Sequence, residues 1–154
     1  MIERIPTPLT DGRGADVAVE REVRIAAPPA VVWTFWTDPA RIVRWMGRTA
    51  TLDPRPGGSI RIDYGSGHVM LGEVVELDPP KRLVLTWGWE DPAEAVQAGG
   101  SRVEVDLAAD GDGTRLRLRH SGLPDGERDS HAEGWDYFLG RLAAAVPAPD
   151  AAPD

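Results

Sequence analysis

With 154 residues the chain is long enough for one domain with a substantial core, and its 42% hydrophobic content is that of a soluble protein. A formal charge of −8 argues against nucleic acid and against anionic membrane surfaces, since both demand clustered Lys and Arg. Cysteine is absent, which excludes disulfides and thiol catalysis; no apolar run reaches the length of a membrane span, and the opening MIERIPTPLTDGRG lacks an apolar signal core. A cytoplasmic protein is therefore expected.

Residues 1–15 carry Pro6, Pro8, Gly12 and Gly14 among few large apolar groups, which predicts a flexible N-terminal segment. The folded domain is expected over 16–146. Its first strand is predicted over 17–26, where Val17, Val19, Val23 and Ile25 share one face by period-two alternation. Arg21 falls on that same face, an unexpected place for a charge. Pro28 and Pro29 then open a helix, because a first-turn N–H needs no intrahelical partner. Val32, Phe35 and Trp36 give this helix its apolar side. Asp38-Pro39 reads as an N-cap followed by a first-turn proline, starting a second short helix whose buried stripe is Ile42, Trp45 and Met46.

The middle of the chain alternates strand and turn. Ile60, Ile62 and Tyr64 share a face of a strand over 58–64. Gly65-Ser66-Gly67 predicts a hairpin turn, since glycine reaches positive φ cheaply. A strand over 69–77 is turned back by Asp78-Pro79-Pro80-Lys81. Leu83, Leu85, Trp87 and Trp89 line one face of the next, and an acidic loop follows over 90–100. Val103, Val105 and Leu107 alternate with Arg102, Glu104 and Asp106. After a turn at Asp110-Gly111-Asp112-Gly113, Leu116, Leu118 and His120 alternate with Arg115, Arg117 and Arg119, which belong on a solvated outer face. Successive hairpins imply an antiparallel sheet of six or seven strands.

A last helix is predicted over 129–146, with His131, Trp135, Phe138, Leu142 and Val146 along one stripe. At ~1.5 Å per residue it runs ~27 Å, enough to cross the concave face of a bent sheet. Gly134 and Gly140 each cost the helix about 1 kcal/mol relative to alanine, which predicts close backbone packing around them. The tail PAPDAAPD from Pro147 cannot continue the helix and is expected to be disordered. The fold class is α+β.

Four polar residues fall on inward faces: Arg21, Tyr64, His120 and His131. The two histidines bracket 121–128 and are expected to meet near one mouth of the interior. A hydrogen-bonded core role and a general acid–base role are both open to them. With three histidines, no cysteine and no paired-His spacing, neither a metal nor another cofactor is expected. A serine elbow, a phosphate loop and a dinucleotide fingerprint are all missing from the sequence. No catalytic residue is assigned.

Four signatures occur in a set order. AAPPAVVW leads into DPARIVRWM; the Gly57-Gly58 pair opens a strand; ELDPPKRLVLTW spans Glu76 to Trp87; and HAEGWDYFLGRL spans His131 to Leu142. That order resembles the START-like, or SRPBCC, superfamily over residues 17–146. Within it, the chain looks most like bacterial homologues of the activator of a heat-shock-protein ATPase, of the C-terminal-domain type. The resemblance implies a helix-grip fold: a curved antiparallel sheet wrapped around a long C-terminal helix, two short helices after the first strand, and an apolar cavity between sheet and helix. It places Trp45, Trp87, Trp89 and Trp135 in the cavity wall. Trp36, Tyr64, His120, His131, Phe138 and Leu142 complete the expected ligand-binding set. The function implied is non-catalytic binding of a small apolar molecule. The alternatives are a polyketide cyclase or aromatase-like enzyme, and a co-chaperone-type regulator of a heat-shock ATPase. A homodimer is compatible with any of these. The preference for Arg over Lys, with Lys81 the single lysine, fits a bacterial source.

Overall fold

The computed structural model describes residues 18–146; the flexible segment expected over 1–15 and the tail from Pro147 lie outside the described residues. Strands β1 (Ala18–Ile25), β2 (Thr49–Leu52), β3 (Ser59–Asp63), β4 (Val69–Asp78), β5 (Arg82–Trp89), β6 (Ser101–Asp110) and β7 (Gly113–Ser121) form one sheet. Its order is β1-β7-β6-β5-β4-β3-β2, and every adjacent pair is antiparallel. From β2 onward the sheet is a meander, its one long connection being the loop between β5 and β6. Only the step from β1 to β2 crosses from one edge to the other. Helices α1 (Pro29–Thr37) and α2 (Pro39–Ile42) fill that step.

Strict alternation sorts the two faces of the sheet. Val103, Val105, Leu107, Leu116 and Leu118 are buried on the concave side. The outer face is a lattice of opposite charges set by register: Glu20 stands opposite Arg119, Glu22 opposite Arg117, and Asp106 opposite both Arg117 and Arg82. Arg82 reaches Glu104 at 2.8 Å and Asp106 at 2.9 Å, and Arg115 reaches Glu22 at 3.1 Å. The exposed pairs of this lattice, such as Arg115–Glu22, each contribute about 0–1 kcal/mol and serve solubility and register more than stability, whereas the Arg82 cluster is half-buried. A register shift between Val74 and Glu76 bends β4, adding curvature where the sheet must wrap.

The long helix α3 (Arg128–Ala145) crosses the concave face. Trp135, Leu139 and Leu142 are its buried residues, with Val146 buried at its end. Leu139 was absent from the predicted stripe, and Phe138 is only partly buried beside the core. Arg21 does face inward, and the reason is an ion pair: its Nε donates to Asp136 of α3 at 2.6 Å, tying the helix to the edge strand β1. The two helical glycines differ from expectation. An added Cβ at Gly134 or Gly140 would meet nothing within 4 Å, so neither is required for close packing.

Local signals at the short helices operate as their chemistry dictates. Asp38 caps α2, its carboxylate accepting from the Ala40 amide at 3.0 Å. The regular helix ends at Ile42, and Trp45 and Met46 are buried by a following turn held by Met46 N–H donating to Ile42 O at 2.9 Å. β2 was not anticipated; it completes the sheet at seven strands. Among the described residues no helix is long and apolar enough to cross a membrane.

Candidate functional site

Between β3–β5, the turn after α2 and the first half of α3 lies a cavity of about 310 Å3. Its wall is aromatic. Trp87 and Trp89 project from β5 because residues two apart share a face, and Trp135 and Phe138 meet them from α3. Trp87 lies 5.0 Å from Trp135 and 6.2 Å from Trp89, centroid to centroid. Tyr64, at the end of β3, closes the far side against Trp89 at 5.7 Å and Phe138 at 5.6 Å. Burial pushes the Tyr64 phenol well above its ordinary range, so it stays protonated and presents a neutral hydroxyl. Among the described residues nothing hydrogen-bonds that hydroxyl.

The rim comes from segments without strand or helix periodicity. Gly88 makes this possible: a Cβ there would collide with the Gln97 carbonyl, so the 91–100 loop can lie against β5. Trp89 N–H donates to Val96 O at 2.8 Å, and Val96 is buried beneath the loop. The loop thereby holds Glu94 at the cavity edge, beside His68, which stacks on Trp89 at 4.0 Å and 19°. Glu127, Ser130 and His131 line the opposite edge at the start of α3, and Met46 and Gly134 complete the lining.

His120 has no solvent exposure and sits behind Trp87 and Trp135 rather than in the lining. Its hydrogen bonds determine its tautomer. Trp135 Nε1–H, which can only donate, gives to Nδ1 at 3.0 Å. Nδ1 is therefore unprotonated, and the proton of the neutral ring is on Nε2, which donates to Ser101 Oγ at 2.8 Å. The Ser101 hydroxyl in turn donates to Trp87 O at 2.6 Å. Burial, and secondarily the nearby His131, holds the imidazole at about 3, below its usual 6.5. Ser101 and His120 thus look like a nucleophile and base by distance, yet the histidine donates to the serine and both are buried. This is a satisfied polar knot in the core.

His131 stands edge-on to His120, with ring centroids 5.4 Å apart. Its Nδ1–H donates to Glu127 O at 2.8 Å, and its Nε2 accepts from Trp89 Nε1–H at 3.3 Å. The two histidines do meet, each receiving a tryptophan N–H.

Of the ten residues expected to contact ligand, Tyr64, Trp87, Trp89, His131, Trp135 and Phe138 line the cavity. Trp36, Trp45, His120 and Leu142 do not. Trp45 is fully buried because its indole donates to Phe35 O at 2.8 Å, folding the ring onto α1. Trp36 is wedged between Trp45 at 4.8 Å and Trp135 at 6.3 Å. Leu142 is fully buried farther along α3. His68, Glu94, Glu127, Ser130, Met46 and Gly134 were not anticipated in the lining. Period-two and helical stripes locate core faces, and most of these residues sit in turns or at element ends. Trp36 and Trp87 each bury an indole N–H without a partner among the described residues. Among the same residues no group of three or more acidic, histidine or cysteine side chains is arranged to hold a metal ion.

A seven-stranded antiparallel sheet gripping a C-terminal helix over an aromatic cavity defines a helix-grip protein of the SRPBCC type. The chain belongs to the family of Activator of Hsp90 ATPase homolog 1-like proteins, whose family model matches residues 26–147. It is similar to the AHSA1-like protein RHE_CH02687 of Rhizobium etli, at 42% identity and a TM-score of 0.68, covering 90% of this chain and 86% of that one. It is also similar to DynU16, a putative protein in the dynemicin biosynthetic locus, at 31% identity and a TM-score of 0.72, covering 84% of this chain. An uncharacterized protein of Schizosaccharomyces pombe is 28% identical over 119 residues, 73% of this chain. The chain spans 32% of the length of that yeast relative and 46% of DynU16.

Proposed function

We propose that this chain binds a small apolar molecule in the cavity between sheet and α3 and performs no chemistry on it. The observation that carries this is the cavity itself, about 310 Å3 and walled by Tyr64, Trp87, Trp89, Trp135 and Phe138. Small-molecule sites are of this kind: concave, mostly apolar, with a few polar groups that orient the guest. Tyr64 supplies one such group, a protonated hydroxyl with no partner of its own among the described residues. Two of the three histidines, His120 and His131, favour binding over catalysis. Both ring nitrogens of His120 and of His131 are engaged in hydrogen bonds, leaving neither a free base nor a free acid for a guest.

Native mass spectrometry of the purified protein tests this by looking for a bound apolar adduct. A thermal-shift screen of aromatic and terpenoid compounds follows. No adduct and no shift with any compound would defeat the proposal.

Two other functions have specific support. DynU16 belongs to a biosynthetic locus, which favours an enzyme. In that case substitution of a histidine that lines the cavity, His68→Gln or His131→Gln, lowers turnover of a cyclisation or dehydration substrate by about 10²–10⁴-fold with binding intact. The family is named for activation of the Hsp90 ATPase, which favours a regulator. Stimulation of a purified Hsp90 ATPase by this chain would establish that role. Size-exclusion chromatography with light scattering tests the homodimer, and fractionation of the source cell tests the cytoplasmic location.

A further inference from the structure

The acidic groups of this protein fall into two populations. On the outer face of the sheet Glu20, Glu22, Glu104 and Asp106 are each paired with arginine. At the cavity the situation reverses. Glu94 and Glu127 are the charged side chains of the lining, and neither an arginine nor a lysine lines it. Among the described residues their ion-pair contacts are with histidines alone: Glu94 lies 3.6 Å from His68, and Glu127 lies 3.9 Å from His131. The Nδ1–H of His131 is already given to a carbonyl, so Glu127 gains no hydrogen bond from that ring. Both carboxylates are half-buried at the rim, with 34% and 29% of their side chains exposed. Carboxylates without a fixed cation give the rim a negative field that favours a positive guest over a neutral or negative one.

The aromatic wall points the same way. Indole and phenol faces are negative, and a cation held over them is attracted by the ring quadrupole. Trp87, Trp89 and Trp135 are the strongest of these rings, and Tyr64 is kept in its protonated form. A carboxylate-bearing guest such as a fatty acid meets the opposite: acidic groups at the rim and no arginine or lysine in the lining.

We propose that the occupant of the cavity is a small apolar amine, its hydrophobic body among the aromatic rings and its ammonium at the rim with Glu94 and Glu127. This rests on the cavity being a binding site, and deepens it by naming the charge class of the ligand.

Isothermal titration of the full chain at neutral pH with three matched probes tests it: naphthylethylamine, naphthylethanol and naphthylacetate. The expected order of affinity is amine, alcohol, acetate, with the amine ahead of the alcohol by about tenfold, the scale of one charge-assisted contact to a carboxylate. In the Glu94→Gln/Glu127→Gln double variant the amine's lead over the alcohol is expected to shrink to within about threefold. Acetate binding as tightly as the amine overturns the charge assignment and leaves cavity binding standing. Persistence of the full amine preference in the double variant does the same. Failure of all three probes to bind overturns the charge assignment and the binding function together.

Discussion

The indole N–H of Trp135 donates to Nδ1 of His120 across 3.0 Å, from the middle of α3 to the penultimate residue of β7. One bond thereby does three things. It locks the helix onto the sheet, it sets the histidine tautomer, and it orients the ring that forms the inner wall of the cavity. Removing the ring and removing the bond are separable. Trp135→Ala is expected to cost about 3–5 kcal/mol, the range for truncating a buried aromatic. Trp135→Phe keeps most of the packing but orphans Nδ1, and is expected to cost about 1–3 kcal/mol. Urea denaturation measures both. A midpoint for Trp135→Phe equal to that of wild type would show that the bond contributes nothing.

His120 makes stability depend on pH. Its folded value, about 3, lies below the ordinary 6.5 because burial disfavours the charged ring. Between those two values the unfolded chain binds a proton that the folded chain refuses. Stability is therefore complete above about 6.5 and falls as pH drops below it, reversing the behaviour of a histidine paired with a carboxylate. From pH 7 to pH 5 the loss is about 2 kcal/mol for this group alone. His120→Gln keeps a donor and an acceptor but cannot titrate. The difference in urea midpoint between pH 7 and pH 5 is expected to be smaller in His120→Gln than in wild type. Equal differences in the two proteins would mean that His120 is already accessible to protons when folded.

The sheet was legible because its two faces differ so sharply. Arg115, Arg117 and Arg119 against Leu116, Leu118 and His120 leave one reading of β7, and its neighbours follow the same rule. β2 was not legible: Thr49–Leu52 is four residues, none fully buried, held by pairing to β3 rather than by its own pattern. The candidate site was legible where it is built from regular elements. Trp87, Trp89, Trp135 and Phe138 follow from period two on β5 and a helical stripe on α3. Trp45 reads as buried, but only its bond to Phe35 O reveals that it faces away from the cavity. Glu94 reaches the rim through a loop that depends on Gly88 and Val96, a tertiary arrangement with no local periodicity.

The Arg21–Asp136 pair joins β1 to α3, and its position suggests a strong clamp. Its surroundings argue otherwise. The two side chains are 36% and 58% exposed, so water and salt screen them. A double-mutant cycle with Arg21→Ala and Asp136→Ala is expected to give a coupling of about 0.2–1 kcal/mol, falling further at high salt. A coupling several times larger would mean that the pair is desolvated in solution.

Gly134 separates the needs of the helix from those of the cavity. It lies mid-helix, where glycine is costly, and an added Cβ would meet nothing within 4 Å. It also lines the cavity. Packing does not require glycine here, so its effect is to leave room beside Trp135. Gly134→Ala is expected to raise stability by about 0.5–1 kcal/mol through lower unfolded-state entropy and better helix propensity. Gly134→Leu is expected to keep the fold and fill the space, weakening any cavity-bound aromatic probe by about tenfold or more. Thermal denaturation and probe titration on the same two variants test both expectations. A leucine variant that folds and binds the probe as wild type does would show that the cavity beside α3 is not where the probe resides.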